Sequence, residues 1–243
     1  LKATDRLAGA TRQMTDEANA AVAASAEAGA ETIGILESHP VALERMDPRA
    51  QLIRQDLYRL DARADALLFV GRHARWGVAD GILNHTGSSR SIRWVRVNGR
   101  PFGELALTAA WFGAQGVPVA FVAGDEAACQ EARDLLGDVE TAAVKVGDTC
   151  HSGRSLSPEA ACGRIRDGVG RALRRLSDFT PFRVEGPVTL EIEYRHSEVA
   201  DWICRACGFE RVDACVVRSQ CPDYQSAFRI WYAQGPALAR FDA

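Results

Sequence analysis

Histidine residues follow two stretches of the sequence that have the character of buried strands. His39 comes three residues after the apolar run TIGIL, and His73 comes three residues after ALLFV. Because parallel strands end at one edge of an open α/β sheet, where ligands bind, both imidazoles are predicted to emerge at the same edge. A single histidine in such a place is more often structural than functional, but two in equivalent places make a functional site an equally reasonable interpretation.

Two further residues extend this candidate site. His85 lies in the Gly-rich loop GILNHTGSS, where backbone freedom allows close approach to a substrate. Glu104 opens the helical segment GELALTAA, where the structural interpretation is a first-turn carboxylate favoured by the helix dipole. Each of these residues is weak evidence when it is taken alone.

Together the four residues predict a hydrolytic zinc site. Two imidazoles and a carboxylate match the nitrogen and oxygen ligands that catalytic Zn²⁺ prefers, and one imidazole remains for proton or nucleophilic work. Zinc polarises a scissile carbonyl and lowers the pKa of bound water toward neutrality. His85 is then expected to move a proton or to stabilise the tetrahedral intermediate.

Strand and helix patterns alternate through the first two thirds of the chain and must position these residues. Continuous apolar runs predict buried strands at 32–36, 66–70, 117–124 and 141–146. Helical patterns are found at 15–29, with Thr15 as the N-cap, and at 103–115, 125–136 and 158–176. This alternation predicts an α/β protein with three αβα layers and a mostly parallel sheet.

A hairpin and a change of pattern complete the predicted architecture. The run SIRWVRV followed by Asn98-Gly99 predicts an inserted β-hairpin with a type I′ turn. After Phe182 the sequence shows an alternating strand VTLEIEY, a short helix, a strand near 212–217 and a helix near 223–232. We therefore predict a metallohydrolase core at 1–177 and a smaller α+β subdomain at 178–243.

Composition excludes several classes of partner. The 243 residues carry a formal net charge of −3, which gives no electrostatic reason to expect nucleic acid or an anionic membrane as a partner. No apolar run approaches the roughly 18 residues of a membrane span, and the N-terminus lacks the pattern of a signal peptide. These features favour a cytoplasmic protein that acts on a small molecule.

Alternative sites in the sequence are weaker. Cys204-x-x-Cys207 with Cys215 and Cys221 superficially resembles a structural zinc site, but the short loops and apolar surroundings favour reduced thiols. His151 follows the fourth predicted strand and stays open as a substrate contact. His196 lies in a polar segment and is expected to face solvent.

Several motifs in succession carry a family resemblance. The strings MTDEANAAVAASAEAGAETI, ESHP, FVGRHA, GILNHTG, VRVNGRPFGELALTAA and GVPVAFVAGDEAAC occur in this order. From about Arg12 to the C-terminal RIWY, the sequence resembles the DppA-type D-aminopeptidases, peptidase family M55. Several motifs in the same order and at the same spacings identify the family far more specifically than any one motif.

The resemblance implies a role for each candidate residue. His39, His73 and Glu104 match the zinc ligands of the family, and His85 matches its catalytic histidine, which is described as the nucleophile. The family uses two zinc ions to hydrolyse short peptides that begin with a D-amino acid, and it forms ring-like homo-oligomers. The expected substrate is therefore a small peptide or amide.

The sequence also departs from the family pattern. Family members begin with a strand that bears an Asp-x-Glu pair of metal ligands, and nothing here matches it, so either a preceding segment is absent or the metal site is defective. Glu37 stands where the family usually has Asp, and Arg72 where it often has Tyr. The alternatives to a D-aminopeptidase are therefore a non-catalytic ligand-binding or assembly module and a biosynthetic amidase with a changed substrate.

Overall fold

The computed structural model describes residues 3–37, 40–53, 57, 63–238 and 241. The helices of this part are α1 Ala3–Glu27, α2 Glu104–Ala114, α3 Glu126–Leu136, α4 Pro158–Arg174, α5 Ser197–Cys207, α6 Tyr224–Ala233 and α7 Gly235–Leu238. Its strands are β1 Ile33–Ile35, β2 Ala50–Leu52, β3 Leu67–Arg72, β4 Ile92–Val97, β5 Arg100–Phe102, β6 Val119–Asp125, β7 Glu140–Thr149, β8 Ser152–Ser155, β9 Val188–Tyr194, β10 Glu210–Arg211 and β11 Val216–Cys221. No helix of the described part combines the length and the apolar character that crossing a bilayer requires.

The central sheet has four strands in the order β3-β6-β7-β8, of which the first three are parallel and β8 is antiparallel. Helices α1 and α4 cover one face, where Ala24 and Ile165 pack on Phe121. Helices α2 and α3 cover the other face, where Leu105 and Ala132 join the same cluster as strand β6. The predicted three-layer α/β fold with a mostly parallel sheet is therefore confirmed.

A second sheet of five strands runs in the order β10-β11-β9-β4-β5, with antiparallel pairing throughout. The predicted hairpin forms its β4-β5 edge, and Asn98 and Gly99 have φ angles of 50° and 77°, as the type I′ turn requires. Helix α2 lies between the two sheets, because Leu107 and Trp111 enter the core of the second sheet. The division into 1–177 and 178–243 stays a prediction, and the hairpin connects its two parts through one sheet.

The structure corrects two predictions about the N-terminal region. Helix α1 begins at Ala3, so Thr15 lies inside it and is not the N-cap. Residues 3–14 contain no proline, and the Thr15 hydroxyl bonds the carbonyl oxygen of Thr11 in the preceding turn. The run TIGIL forms only β1, which pairs in parallel with β2 and not, among the described residues, with the central sheet.

The reason for the second correction is the environment of the strand. Gly34 is exposed and its two neighbours in β1 are half-buried, whereas β6 is buried along its whole length. Apolar character alone therefore indicated a strand but not the sheet to which it belongs. Strand β2 has only three residues and β8 is exposed along its whole length, and neither strand was predicted. Strand β11 begins later than the predicted strand at 212–217.

Candidate metal centre

Three of the four predicted site residues lie together at the C-terminal edge of the central sheet. His73 directly follows β3, His85 lies further along the same connection to β4, and Glu104 is the first residue of α2. The candidate ligand atoms of these residues all lie within 4.8 Å of one another, and no other group of this kind occurs in the described part of the chain. His39 lies outside the described residues.

The carboxylate of Glu104 lies between the two imidazoles. Its Oε2 is 3.6 Å from Nε2 of His73, and its Oε1 is 3.6 Å from Nε2 of His85. The two rings stack with their centroids 3.9 Å apart and an angle of 20° between their planes. Both Nε2 atoms therefore face the same small space beside one carboxylate.

The other nitrogen of each ring fixes its tautomer. Nδ1 of His73 lies 2.9 Å from the carbonyl oxygen of Ala74, and Nδ1 of His85 lies 2.7 Å from that of Leu83. A carbonyl oxygen only accepts hydrogen bonds, so Nδ1 carries the proton in each ring and Nε2 presents its lone pair. Metal-ligating histidines are commonly oriented in this way.

The buried Nε2 of His73 provides a test of whether a metal fits. This atom has no hydrogen-bond partner, although buried polar atoms are rarely left without one. A divalent cation bound to the lone pair would satisfy it, together with the carboxylate of Glu104. The donors present thus fit a metal ion such as zinc.

A buried arginine adds a fixed positive charge to the site. Nη1 of Arg72 lies 3.4 Å from Oε2 of Glu104, its Nη2 lies 3.5 Å from Oγ1 of Thr108, and its guanidinium lies 4.7 Å from the centre of the Phe69 ring. Burial lowers the pKa of Arg72, but Glu104 opposes this effect. Arg72 was a departure from the family pattern in the sequence, but its contact with Glu104 was not predicted.

The surrounding charges keep Glu104 ionised. Burial raises the pKa of Glu104, but the close contact with His73 and the charges of Arg72, His73 and His85 outweigh burial and bring it to about 2. The backbone N–H of Gly87 also donates to Oε1 over 2.8 Å. Burial lowers the pKa of His73, while the contact with Glu104 raises it and determines the net direction. A metal that binds His73 must therefore displace a proton more often than at an ordinary histidine.

The lowered pKa predicts how the stability of the metal-free protein depends on pH. A carboxyl group with a depressed folded-state pKa stabilises the fold above its unfolded pKa, and this stabilisation is lost as pH falls toward the folded value. For Glu104 that window extends from its ordinary pKa of 4.5 down to about 2. Between pH 4.5 and 3, at about 1.4 kcal/mol per pH unit, Glu104 is expected to account for about 2 kcal/mol of the decrease in the free energy of unfolding.

Urea unfolding of the metal-free wild type and of Glu104→Gln at several pH values tests this expectation. The glutamine does not ionise, so the decrease below pH 4.5 should be smaller by about 2 kcal/mol in the variant. Glu159→Gln is a matched control, because Glu159 is exposed in the first turn of α4. Identical pH slopes for wild type and Glu104→Gln would contradict the prediction.

Further groups near the centre were not predicted from the sequence. Asp125 ends strand β6 and accepts a hydrogen bond from the backbone N–H of Ile82, in the loop that carries His85. Asp125 directly follows the predicted strand at 117–124, and this position could have identified it as a candidate, as a similar position identified His73. His151 and His196 are exposed and lie outside the candidate cluster.

The four cysteines of the alternative zinc site do not form a group of metal ligands in the described part of the chain. All seven cysteines are unpaired in the structure. The fold and the site thus define an α/β protein with a candidate hydrolytic metal centre, since catalytic zinc sites commonly use three protein donors.

Comparison with known proteins identifies the family. The sequence matches peptidase family M55, described as D-aminopeptidase, over residues 2–233, and the chain belongs to this family. It is 31% identical over 227 residues to the D-aminopeptidase of Bacillus subtilis strain 168, which covers 89% of this chain and 82% of the relative. Membership confirms the predicted family and the predicted class of enzyme, a hydrolase of peptide bonds.

The fold comparison agrees with the sequence comparison. The structure of the zinc-dependent D-aminopeptidase DppA from Bacillus subtilis, described as a self-compartmentalizing protease, matches with a TM-score of 0.88 and 29% sequence identity. The match covers 94% of this chain and 86% of that protein. The similarity therefore extends over both sheets.

Proposed function

We propose that this protein is a zinc-dependent aminopeptidase that releases an N-terminal D-amino acid from short peptides. The observation that carries the proposal is the buried Nε2 of His73, which faces the carboxylate of Glu104 and has no hydrogen-bond partner. Membership of the D-aminopeptidase family and the zinc dependence of the similar structure support both the metal and the substrate.

We assign His73 and Glu104 as ligands of the metal, with His39 as a further ligand. Zinc supplies Lewis acidity toward the scissile carbonyl when it is bound. Arg72 and the N–H of Gly87 hold the carboxylate of Glu104 in place. Three donors suit one ion, and the second ion that the resemblance implies would need donors beyond His39, His73 and Glu104.

We assign His85 as the catalytic residue. Its side chain is 22% exposed, against 11% for His73, so it is the more open of the two imidazoles. The carbonyl oxygen of Leu83 keeps the proton on Nδ1, which leaves Nε2 free to accept a proton from the nucleophile and to return it to the leaving amine. His85 could also attack the carbonyl itself, as the family resemblance implies.

We further propose a ring-like homo-oligomer in the cytoplasm. The description of the similar structure as a self-compartmentalizing protease supports the assembly. The seven unpaired thiols suit a reducing compartment. Sedimentation analysis of the purified protein tests the assembly, and a monomer at assay concentrations would contradict it.

The function is tested by measuring zinc content and turnover on the same preparation. We expect bound zinc, hydrolysis of D-Ala-D-Ala in preference to L-Ala-L-Ala, loss of turnover after chelation, and recovery when zinc is added. Hydrolysis of other small amides without D-peptide cleavage would indicate the substrate-shifted amidase. A folded, zinc-loaded protein without turnover would indicate the non-catalytic module, and absence of both zinc and turnover would refute the proposal.

A further inference from the structure

The loop that carries His85 contains a residue in an unfavourable backbone conformation. Leu83 has a φ angle of 53°, in the left-handed region that is unfavourable for residues with a Cβ atom. Its side chain is 60% exposed, so burial of the leucine does not compensate for this cost. The carbonyl oxygen of Leu83 nevertheless accepts the bond from Nδ1 of His85, so the strained residue directly orients the imidazole.

The turn around Leu83 is closed by a 3.3 Å bond from the N–H of Asn84 to the carbonyl oxygen of Gly81, and two contacts from outside the loop add to it. On one side, the N–H of Leu83 donates to the carbonyl oxygen of Cys150, between β7 and β8, over 2.8 Å. On the other side, Oδ2 of Asp125 accepts from the N–H of Ile82 over 2.6 Å. The second contact is charge-assisted and partly buried, since Asp125 is only 3% exposed, and charge-assisted hydrogen bonds are the stronger ones.

Asp125 is itself held rigidly. Its other oxygen, Oδ1, accepts from the N–H of Ala128 over 2.8 Å and caps helix α3. The carboxylate therefore joins the end of a buried strand, the start of a helix and the His85 loop. A loop held by an element of the central sheet keeps a more constant geometry than a loop held only by its own residues.

We propose that Asp125 is a positioning residue, which sets the orientation of His85 through the bond to Ile82 and the left-handed Leu83. This inference rests on the proposed function in one respect, namely that His85 carries the catalytic step. The bond to Ala128 stabilises the helix, whereas the bond to Ile82 serves the active site. The two roles of the carboxylate can be separated by mutation.

Asp125→Ser is the selective variant. Serine caps a helix about as well as aspartate, but its shorter side chain cannot also reach the N–H of Ile82. Asp223→Ser is the matched control, because Asp223 caps α6 through Ser226 in the same way and its carboxylate has no described bond to the His85 loop. Asp125→Asn, which retains one accepting oxygen, replaces the serine variant if that protein fails to fold.

Amide hydrogen exchange of the full-length protein measures how well the loop is held in place, and it does not depend on enzymatic activity. We expect the amides of residues 80–86 to exchange about tenfold faster or more in Asp125→Ser, while the first turn of α3 and the segment around His73 are unchanged. Asp223→Ser should leave residues 80–86 as in the wild type. Unchanged exchange at 80–86, or faster exchange confined to α3, would overturn the proposal.

Kinetics then test the consequence for catalysis. We expect kcat of Asp125→Ser to fall about ten- to a hundredfold with zinc content and KM unchanged, because a misplacement of about 1 Å has effects of this size. In a His85→Ala background the same substitution should have no further effect on kcat. An unchanged kcat in a variant whose loop exchanges faster would refute the positioning role. A wild type without turnover would refute the proposed function, and the hydrogen-exchange result alone would then test the contact between Asp125 and the loop.

Discussion

His73→Ala is expected to remain folded, to lose its zinc and to hydrolyse D-Ala-D-Ala about a thousandfold more slowly than the wild type. The substitution removes the buried Nε2 that has no hydrogen-bond partner, and it leaves Glu104 with Arg72 as its nearest cation. A metal acting as a Lewis acid contributes several kcal/mol of transition-state stabilisation, which corresponds to this loss of rate. Zinc per chain, measured after dialysis, is the direct observable.

The control for His73→Ala is His196→Ala. His196 is exposed before helix α5 and lies outside the candidate cluster, so its removal should change neither zinc content nor rate. Circular dichroism of both variants without zinc establishes that the fold is retained. Zinc bound to His73→Ala at the wild-type stoichiometry would contradict the ligand assignment.

His85→Ala is expected to retain zinc but to lose turnover by a factor of about 10² to 10⁴, the usual contribution of a positioned acid or base. The physical reason is that His85 is the more exposed imidazole and presents an unprotonated Nε2 toward the space beside Glu104. The combination of unchanged zinc content and a lower kcat separates this residue from His73. His151→Ala serves as the control, because His151 is exposed in the turn between β7 and β8.

Loss of zinc from His85→Ala is the opposite outcome, and it would identify His85 as a metal ligand. Its ligand atom lies within 4.8 Å of those of His73 and Glu104, close enough for all three residues to bind one ion. Loss of zinc from His85→Ala would reassign it as a ligand and would refute its role as the catalytic residue. Zinc titration of the apo variants distinguishes the two roles in a single experiment.

Much of the site could be predicted from local sequence. His73 follows a short apolar run and Glu104 opens a helix with a Gly before it, and both features appear in the structure at the predicted places. Strand and helix periodicities arise from neighbouring residues, so they are readable along the chain. The hairpin turn at Asn98-Gly99 was predictable for the same reason, because positive φ angles are a local preference.

Other parts of the architecture depend on contacts between distant residues. The hairpin pairs with β9 about a hundred positions further along, and β1 pairs with β2 rather than with the central sheet. Strand partners depend on the loops and the packing of the whole chain, and periodicity contains no information about them. The apolar run at 32–36 therefore indicated a strand and led to the wrong sheet.

The residue types at positions 73, 85 and 104, and their places at the ends of local elements, are properties of the chain alone, and they suffice to predict a metal-binding hydrolase. The contacts that tune the site come from folding: Arg72 reaches Glu104 across 32 positions, and Asp125 reaches Ile82 across 43. The physical reason is that local propensities act over a few residues, whereas the charge and orientation of a buried side chain are set by whichever groups packing brings within a few ångströms.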